Sequence, residues 1–277
     1  MPSNGIGGRS LDFGGLGAME DPAAAYERFT RHYRKAEFAR KGEGFAVLEL
    51  GPGESLFSAP IARAFGAAAV NLVDIDDIAN HDPALYRRMV EYLAGKGQPV
   101  IGLDGFDSVH TLLGACSARY LTRGKESLRL LPTASIDLII SDAVLPSIRR
   151  EELLDTLKET RRVLRPDGAC SHGVGLWDLR GEALDHLRIP ATVWESDAMA
   201  RSGGYTNRYR FSELLGLLGL AGFRVDVTEV MSWDHLPIPR ETMQPAFRGF
   251  TEDDLRVYSF HVTLRPSGPA PSRPASP

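Results

Sequence analysis

The feature that most constrains the fold is a regular alternation of short apolar runs with helical patterns between residues 45 and 264. Strands are predicted at 45–50, 69–73, 119–122, 136–141, 169–174, 224–230 and 257–264. Helices are predicted between them at 55–65, 83–93, 108–115, 149–164 and 209–220. Such alternation predicts an α/β fold with a doubly wound, mostly parallel sheet and helices on both faces.

Composition excludes several classes of protein. The chain has 277 residues, of which 43% are hydrophobic, so wholesale disorder is excluded. A net charge of -4 argues against a broad grip on nucleic acid or an anionic membrane. The two cysteines form neither a disulfide framework nor a zinc-finger pattern, and no metal site is predicted.

Location and domain boundaries also follow from simple patterns. The longest strongly apolar stretch, 214–223, is far shorter than the ~20 residues of a membrane span, so a cytoplasmic protein is expected. Glycines in 1–25 predict a flexible arm, and prolines in 266–277 predict a disordered tail. A single domain is expected at 26–265, with an N-terminal helical segment and an insertion near 177–208. A homodimer is compatible with the sequence, which does not fix the oligomeric state.

A glycine turn and an acid mark the predicted ligand site. The turn Gly51-Pro52-Gly53 follows the first strand, and Asp74 ends the second strand 21 residues beyond Gly53. Glycines let the backbone approach a ligand, and an acid in this position can bind both ribose hydroxyls. A tight turn with a helix-capping acid is the alternative, but the combination favours nucleoside binding at the carboxyl ends of the strands.

The residues around the turn narrow the choice of nucleoside. Leu56 stands where a dinucleotide fingerprint has its third glycine, which disfavours NAD and FAD. The Lys-Ser/Thr pair of a phosphate loop is absent from the sequence of this turn, which disfavours ATP. Glu49 fits a cationic ligand better than a pyrophosphate.

Four segments together resemble the class I S-adenosylmethionine-dependent methyltransferases: FAVLELGPGES, AVNLVDI, SIDLIISDAVLPSI and LKETRRVLRPDGAC, in this order. The resemblance extends over about residues 45–265. It implies a Rossmann-like fold of seven strands, the final one antiparallel, and S-adenosyl-L-methionine as cofactor. A later segment, YTNRYRFSELLGLLGLAGFRV, is similar to a bacterial subgroup linked to the modification of sugars, polysaccharides and natural products.

The resemblance also implies roles for individual residues. The cofactor-binding residues it implies are Glu49, Gly51, Pro52, Gly53, Ser55, Asp74, Ile75, Gly124, Glu126 and Ser141. Within this set Asp74 matches the ribose-binding acid, and Ile75 would flank the adenine. The chain departs from the family pattern at Ser55, where a third glycine is frequent, and at Pro146-Ser147, where relatives often carry Glu-His.

The remaining candidates concern the acceptor. His172 and Asp142 are candidate general bases. The alternatives are that His172 is a partly buried histidine bonded to the backbone or a neighbour, and that Asp142 bonds to backbone amides. The substrate-binding candidates are Trp177, Tyr205, Asn207 and Arg208. Each has an alternative as a surface turn or helix cap. A helix carrying Tyr26, Phe29, His32 and Tyr33 is expected to pack its aromatic face on the sheet, with a lid over the cofactor as the alternative.

The sequence thus predicts methyl transfer from S-adenosylmethionine to a small-molecule acceptor, an oxygen of a sugar or natural product. Two alternatives stay open. One is another S-adenosylmethionine-dependent reaction, such as cyclisation or aminocarboxypropyl transfer. The other is a non-catalytic nucleoside-binding protein.

Overall fold

The computed structural model describes residues 20–37, 44–103, 105–179 and 183–268. Most of the predicted glycine-rich arm and nearly all of the proline-rich tail lie outside these residues. Asp21 begins the first helix by accepting hydrogen bonds from the amides of Ala23 (3.1 Å) and Ala24 (3.4 Å). The last four residues assigned to the arm, 22–25, therefore belong to this helix, because its cap lies upstream of the predicted boundary.

The described residues form one seven-stranded sheet in the order β3-β2-β1-β4-β5-β7-β6. Its strands are β1 Phe45–Leu50, β2 Ala67–Val73, β3 Ala118–Leu121, β4 Ile136–Asp142, β5 Leu164–Gly175, β6 Phe223–Ser232 and β7 Val257–Pro266. The first five strands are parallel, and β7 is antiparallel to both β5 and β6. The predicted Rossmann-like methyltransferase topology is confirmed.

The α-helices of the described residues connect the strands or pack on the sheet. They are α1 Pro22–Lys35, α2 Ser58–Ala64, α3 Pro83–Gly95, α4 Val109–Ala115, α5 Gly124–Leu130, α6 Arg150–Val163, α7 Ala191–Trp194, α8 Asp197–Ala200, α9 Phe211–Leu220, α10 Pro245–Arg248 and α11 Glu252–Arg256. The prediction missed α5 and began α2 three residues early. Phe57 directly precedes α2, so Ser55 lies outside the helix. The Ser55 hydroxyl accepts a hydrogen bond from the Phe57 amide (3.3 Å).

The sheet separates two hydrophobic cores. Successive residues of β1 point to opposite faces, so Val47 packs with the α1–α4 side while Leu48 packs with α6 and α9. A third, smaller cluster joins the predicted insertion to the segment between β6 and β7, through Leu187 and Phe247 among others. In the described residues, no helix has the length and apolar character needed to cross a membrane.

The strand order fixes where a ligand can bind. From β1 the chain moves outward to β2 and β3, then returns to the other side of β1 with β4. The loops after β1 and β4 therefore diverge at this point and leave a crevice at the carboxyl ends of these two neighbouring strands.

Candidate functional site

An open cleft with an empty volume of about 1320 Å³ lies at the carboxyl ends of β1, β2 and β4. The loops after these strands form one part of it, and the start of α6 and the insertion form another. It contains six of the predicted site residues, namely Gly51, Gly53, Asp74, Ile75, Gly124 and Tyr205. Predicted cofactor-binding residues from the loops after β1, β2 and β3 and the predicted acceptor-binding residue Tyr205 therefore line the same cleft.

The glycine turn is shaped by contacts that a side chain would disrupt. Gly51 has φ +65°, and a Cβ added there would lie 2.4 Å from Val144 Cγ2. Its amide donates to the Val73 carbonyl at 2.8 Å, which fastens the turn to the end of β2. Gly53 has φ +68° and donates its amide to Asp74 Oδ2 at 3.0 Å. The positive φ favours glycine at both positions, and the close contact with Val144 is a second requirement at Gly51.

Asp74 is held in a fixed orientation at the edge of the cleft. Its Oδ1 accepts from the Ile75 amide at 2.7 Å, while Oδ2 accepts from Gly53. A carboxylate oxygen can accept more than one hydrogen bond, so each retains capacity for a ligand hydroxyl. Burial raises the pKa of Asp74, and the two backbone amides act in the opposite direction. This is the geometry expected of a ribose-binding acid.

Apolar and glycine surfaces flank Asp74. The side chains of Ile75 and Ile78 line the cleft although they are 81% and 51% exposed, respectively. Large apolar side chains that stay open to solvent commonly mark ligand surfaces. Gly124 has φ +49° and donates its amide to the Asp74 carbonyl at 2.7 Å. These residues would offer an adenine ring an apolar surface beside Asp74.

Glu49, Pro52 and Ser55 line a smaller cavity beneath α1. Glu49 Oε2 is buried and has no hydrogen-bond partner among the described residues. Burial raises the pKa of Glu49 to about 7, against the opposing effects of the Ser58 hydroxyl and Arg28. An unpaired buried carboxylate is costly, and an ammonium group would satisfy it. Glu49 would therefore suit the ammonium group of S-adenosylmethionine.

His172 does not reach the cleft. It is fully buried, its Nδ1 lies 2.7 Å from Ser141 Oγ, and burial lowers its pKa to about 3. Its Nε2 is buried without a partner among the described residues. The expectation that His172 is a general base and that Ser141 borders the cofactor is therefore corrected, because these two side chains bond to one another inside the protein.

Asp142 is surrounded by basic side chains of α1. Its Oδ2 lies 3.0 Å from His32 Nε2, 3.2 Å from Arg31 Nη2 and 3.8 Å from Arg28 Nε. Burial alone would raise the pKa of Asp142, but His32, Arg31 and Arg28 hold it well below its usual range. A carboxylate so strongly stabilised is a poor proton acceptor. Its predicted role as a base is corrected to that of anchoring α1 to the end of β4.

The anchor continues as a buried chain of polar groups. His32 Nδ1 lies 2.8 Å from Ser171 Oγ, which lies 3.0 Å from His261 Nε2, and Thr228 Oγ1 lies 2.9 Å from His261 Nδ1. The order Asp142-His32-Ser171 is that of a nucleophilic triad, yet Ser171 is fully buried. This series of hydrogen-bonded side chains therefore joins α1 to β5 and β7 instead of activating a nucleophile. The predicted packing of α1 on the sheet includes this polar anchor as well as Phe29.

Of the predicted substrate-binding residues, only Tyr205 lines the cleft. Asn207 is buried and donates from Nδ2 to the carbonyls of Leu145 (2.8 Å) and Ile148 (3.0 Å). It therefore fixes the loop after β4 instead of contacting substrate. Trp177 packs against Tyr258, with ring centroids 6.4 Å apart. The role predicted for Asn207 is corrected, because its side chain bonds within the protein, whereas Trp177 is half-buried and does not line the cleft.

Two further expectations are corrected. Arg208 is buried, donates to the Ile189 carbonyl at 2.7 Å and pairs with Glu195 at 3.2 Å, lining a separate cavity beside Phe247. Glu126 lies on the exposed side of α5, in an ion pair with Arg129 (2.6 Å), and does not meet the cleft. The preceding residue, Lys125, lines the cleft instead of Glu126.

Sequence reasoning missed several polar residues of the cleft, namely Lys125, Arg149, Glu152, Thr156 and Arg201. Arg149, Glu152 and Thr156 lie at the start of α6, whose charged sequence is typical of a solvated helix. The position of α6 directly after the loop that follows β4 was the signal that could have identified them. Among the described residues, no group of three or more His, Cys, Asp or Glu side chains could hold a metal ion.

Comparisons with known proteins bear on this site. Residues 84–171 match the model of a methyltransferase domain. The match confirms the predicted class of enzyme and its cofactor, S-adenosylmethionine, without specifying an acceptor. A search of curated proteins found no match.

Solved structures with a similar arrangement include three S-adenosylmethionine-dependent methyltransferases. One from Mesorhizobium loti is 16% identical, covers 88% of this chain and 100% of its own, and has a TM-score of 0.49. One from Methanosarcina mazei is 15% identical, with coverages of 84% and 96% and a TM-score of 0.45. One from Aquifex aeolicus is 16% identical, with coverages of 92% and 98% and a TM-score of 0.43.

Proposed function

We propose that the protein transfers the methyl group of S-adenosylmethionine to an oxygen of a small-molecule acceptor, a sugar or natural product. The observation that carries this proposal is the continuity of the cleft. It extends from Gly53 and Asp74, which suit a nucleoside, to Arg149 and Tyr205, which suit a polar acceptor. Cofactor and acceptor would thus meet at the carboxyl end of β4.

The cofactor-binding residues act on different parts of the molecule. Asp74 would accept hydrogen bonds from the ribose hydroxyls, and Ile75 and Ile78 would contact the adenine. Glu49 would receive the ammonium group of the methionine part, which relieves the cost of its buried carboxylate. The cofactor supplies an electrophilic methyl group, so the protein's main task is to position the acceptor in line with it.

The acceptor part of the cleft is formed by α6 and the insertion. Tyr205 is fixed by donating its hydroxyl to Glu195 Oε2 at 2.7 Å and by stacking on Trp194. Arg149 is fixed by Asp197 at 2.6 Å. Rigid polar groups beside apolar surface are typical of sites that orient a small polar molecule. They support an acceptor that carries several hydroxyl or carboxyl groups.

Analysis of the fate of the donor tests this function. Purified protein is incubated with S-adenosylmethionine and fractionated small molecules, including sugars, and both products are followed by mass spectrometry. Methyl transfer is expected to yield S-adenosylhomocysteine together with an acceptor heavier by one CH₂ group. Formation of methylthioadenosine would show aminocarboxypropyl transfer instead. Cofactor binding without turnover of any fraction would favour the non-catalytic alternative.

A further inference from the structure

The ionisable groups of the cleft limit which side chain can take a proton from an acceptor. Among the described residues that line it, these groups belong to Asp74, Lys125, Arg149, Glu152, Arg201 and Tyr205. Three of them are lysine or arginine, which donate hydrogen bonds and carry positive charge. Only the two carboxylates and the tyrosine are left as proton acceptors.

Two of these three groups are already engaged. Both carboxylate oxygens of Asp74 are oriented by the amides of Ile75 and Gly53. The Tyr205 hydroxyl donates its hydrogen to Glu195 and accepts from the Arg150 amide at 3.1 Å. Burial and the bond to Glu195 raise the pKa of Tyr205, so it does not ionise readily. Neither group is suited to deprotonate an acceptor.

Glu152 differs from both. Its carboxylate has no hydrogen bond or ion pair within the part of the chain that the structure describes, whereas the adjacent Glu151 pairs with Arg149 at 3.2 Å. It stands in the first turn of α6, and its side chain is exposed in the cleft. Glu152 therefore presents an unengaged carboxylate to the acceptor part of the cleft.

The elements around Glu152 place it where an acceptor would bind. One turn further along α6, Thr156 lines the same wall and donates its hydroxyl to the Glu152 carbonyl at 2.9 Å. Tyr205 lines the cleft too, and its hydroxyl accepts from the backbone amide of Arg150 at the start of the same helix. The start of α6 is thus fastened to the insertion, which holds Glu152 in the acceptor part of the cleft.

We propose that Glu152 is the general base of the reaction, an inference that rests on the proposed function. An acceptor hydroxyl forms a C–O bond to the methyl carbon while the C–S bond breaks and its electron pair goes to sulfur. The hydroxyl proton passes to a Glu152 carboxylate oxygen and then to water. The products are a methyl ether, S-adenosylhomocysteine and a released proton, so charge and atoms balance.

The test compares Glu152→Gln with the control Asp155→Asn. Each amide keeps the approximate size of the side chain and removes its basicity, and Asp155 is an exposed acid of the same helix that pairs with Lys158 and does not line the cleft. Both variants and the wild type are incubated with S-adenosylmethionine labelled in its methyl group and a small-molecule fraction. Affinity for S-adenosylhomocysteine is measured by calorimetry, and the thermal midpoint is recorded for each protein.

A general base contributes about 10²- to 10⁴-fold to a rate, so transfer by Glu152→Gln is expected to be at least 100-fold slower. Its affinity for S-adenosylhomocysteine should stay within about twofold of wild type, and Asp155→Asn should transfer at near wild-type rates. An unchanged rate in Glu152→Gln would overturn the inference.

The chemistry of the product provides a second criterion. A methyl ether withstands mild alkali, whereas a methyl ester releases volatile methanol. Label recovered as methanol would identify a carboxylate acceptor, which needs no base, and would overturn the role of Glu152 while leaving methyl transfer intact. Absence of labelled product from the wild type would instead overturn the proposed function, and this inference with it.

Discussion

Replacement of Asp74 by alanine tests the placement of the ribose. In the free protein its carboxylate accepts hydrogen bonds from the amides of Gly53 (3.0 Å) and Ile75 (2.7 Å). These two bonds turn the remaining lone pairs toward the cleft, so the two ribose hydroxyls would meet a preoriented acceptor. The substitution removes the acceptor and leaves the hydroxyls without a charged partner.

The magnitude follows from the strength of such bonds. A hydrogen bond to a charged group contributes about 1.5–3 kcal/mol. A loss of this size corresponds to an increase in Kd of about 10- to 150-fold, because each ~1.4 kcal/mol is a factor of ten. Asp74→Asn keeps one acceptor oxygen and the approximate shape, so its loss should be smaller than that of Asp74→Ala.

Calorimetric titration with S-adenosylhomocysteine provides the assay, with Asp76→Ala as the matched control. Asp76 follows two positions later and is exposed, and within the described residues its carboxylate accepts a hydrogen bond from the Asp77 amide at 2.9 Å. The control should bind like wild type. Equal affinities of Asp74→Ala and wild type, with both proteins folded, would refute the assignment of the ribose to Asp74.

Three further substitutions test the energetics of the site. Glu49→Gln removes a carboxylate whose pKa is raised from 4.5 to about 7, so wild-type stability falls as pH rises through this range. By urea unfolding at pH 8, the variant should be more stable by up to ~3 kcal/mol, while calorimetry should show weaker binding of S-adenosylmethionine. Gly51→Ala should lower the free energy of unfolding by about 2–5 kcal/mol, since the new Cβ would lie 2.4 Å from Val144 Cγ2. Gly97→Ala, at φ +71° with no atom within 4 Å, should cost only about 1–2 kcal/mol, and equal losses would contradict the steric argument. Asp142→Asn should cost about 3–5 kcal/mol at pH 7 because Arg28 and Arg31 lose their ionic partner and the buried His32 loses its carboxylate partner. The pKa of Asp142 is lowered, so this difference should shrink as pH falls below about 4, and an undiminished difference would exclude an ionic origin.

The parts of the site that depend on local sequence were predictable. Gly51, Gly53 and Asp74 lie where strands end. Glycine suits a turn with positive φ, and a carboxylate suits the hydroxyls of a ribose, so these residue types indicated their roles. The doubly wound, mostly parallel sheet was also predictable, because the alternation of strands and helices admits few topologies. Only short elements were lost, such as α5, whose seven residues carry too little periodicity to distinguish a helix from a turn.

The parts that depend on distant contacts were not predictable. His172 is near the end of a strand, but Ser141, 31 positions earlier in the chain, occupies its Nδ1 inside the fold. The Asp142 carboxylate pairs with basic side chains of α1, which lies more than 100 residues away in sequence. Glu152 looked like one charge of a solvated helix, and only the packing of α6 beside the insertion places it in the cleft.

The most direct test of the account is an amide NMR titration of the wild-type protein with S-adenosylhomocysteine. Saturable binding at one site is expected, with the largest shift changes at the amides of Gly51, Gly53, Ile75 and Gly124, which surround Asp74. A folded protein that shows no saturable change, or changes confined to the separate cavity at Arg208, would contradict the claim that the cofactor binds over the ends of β1 and β2.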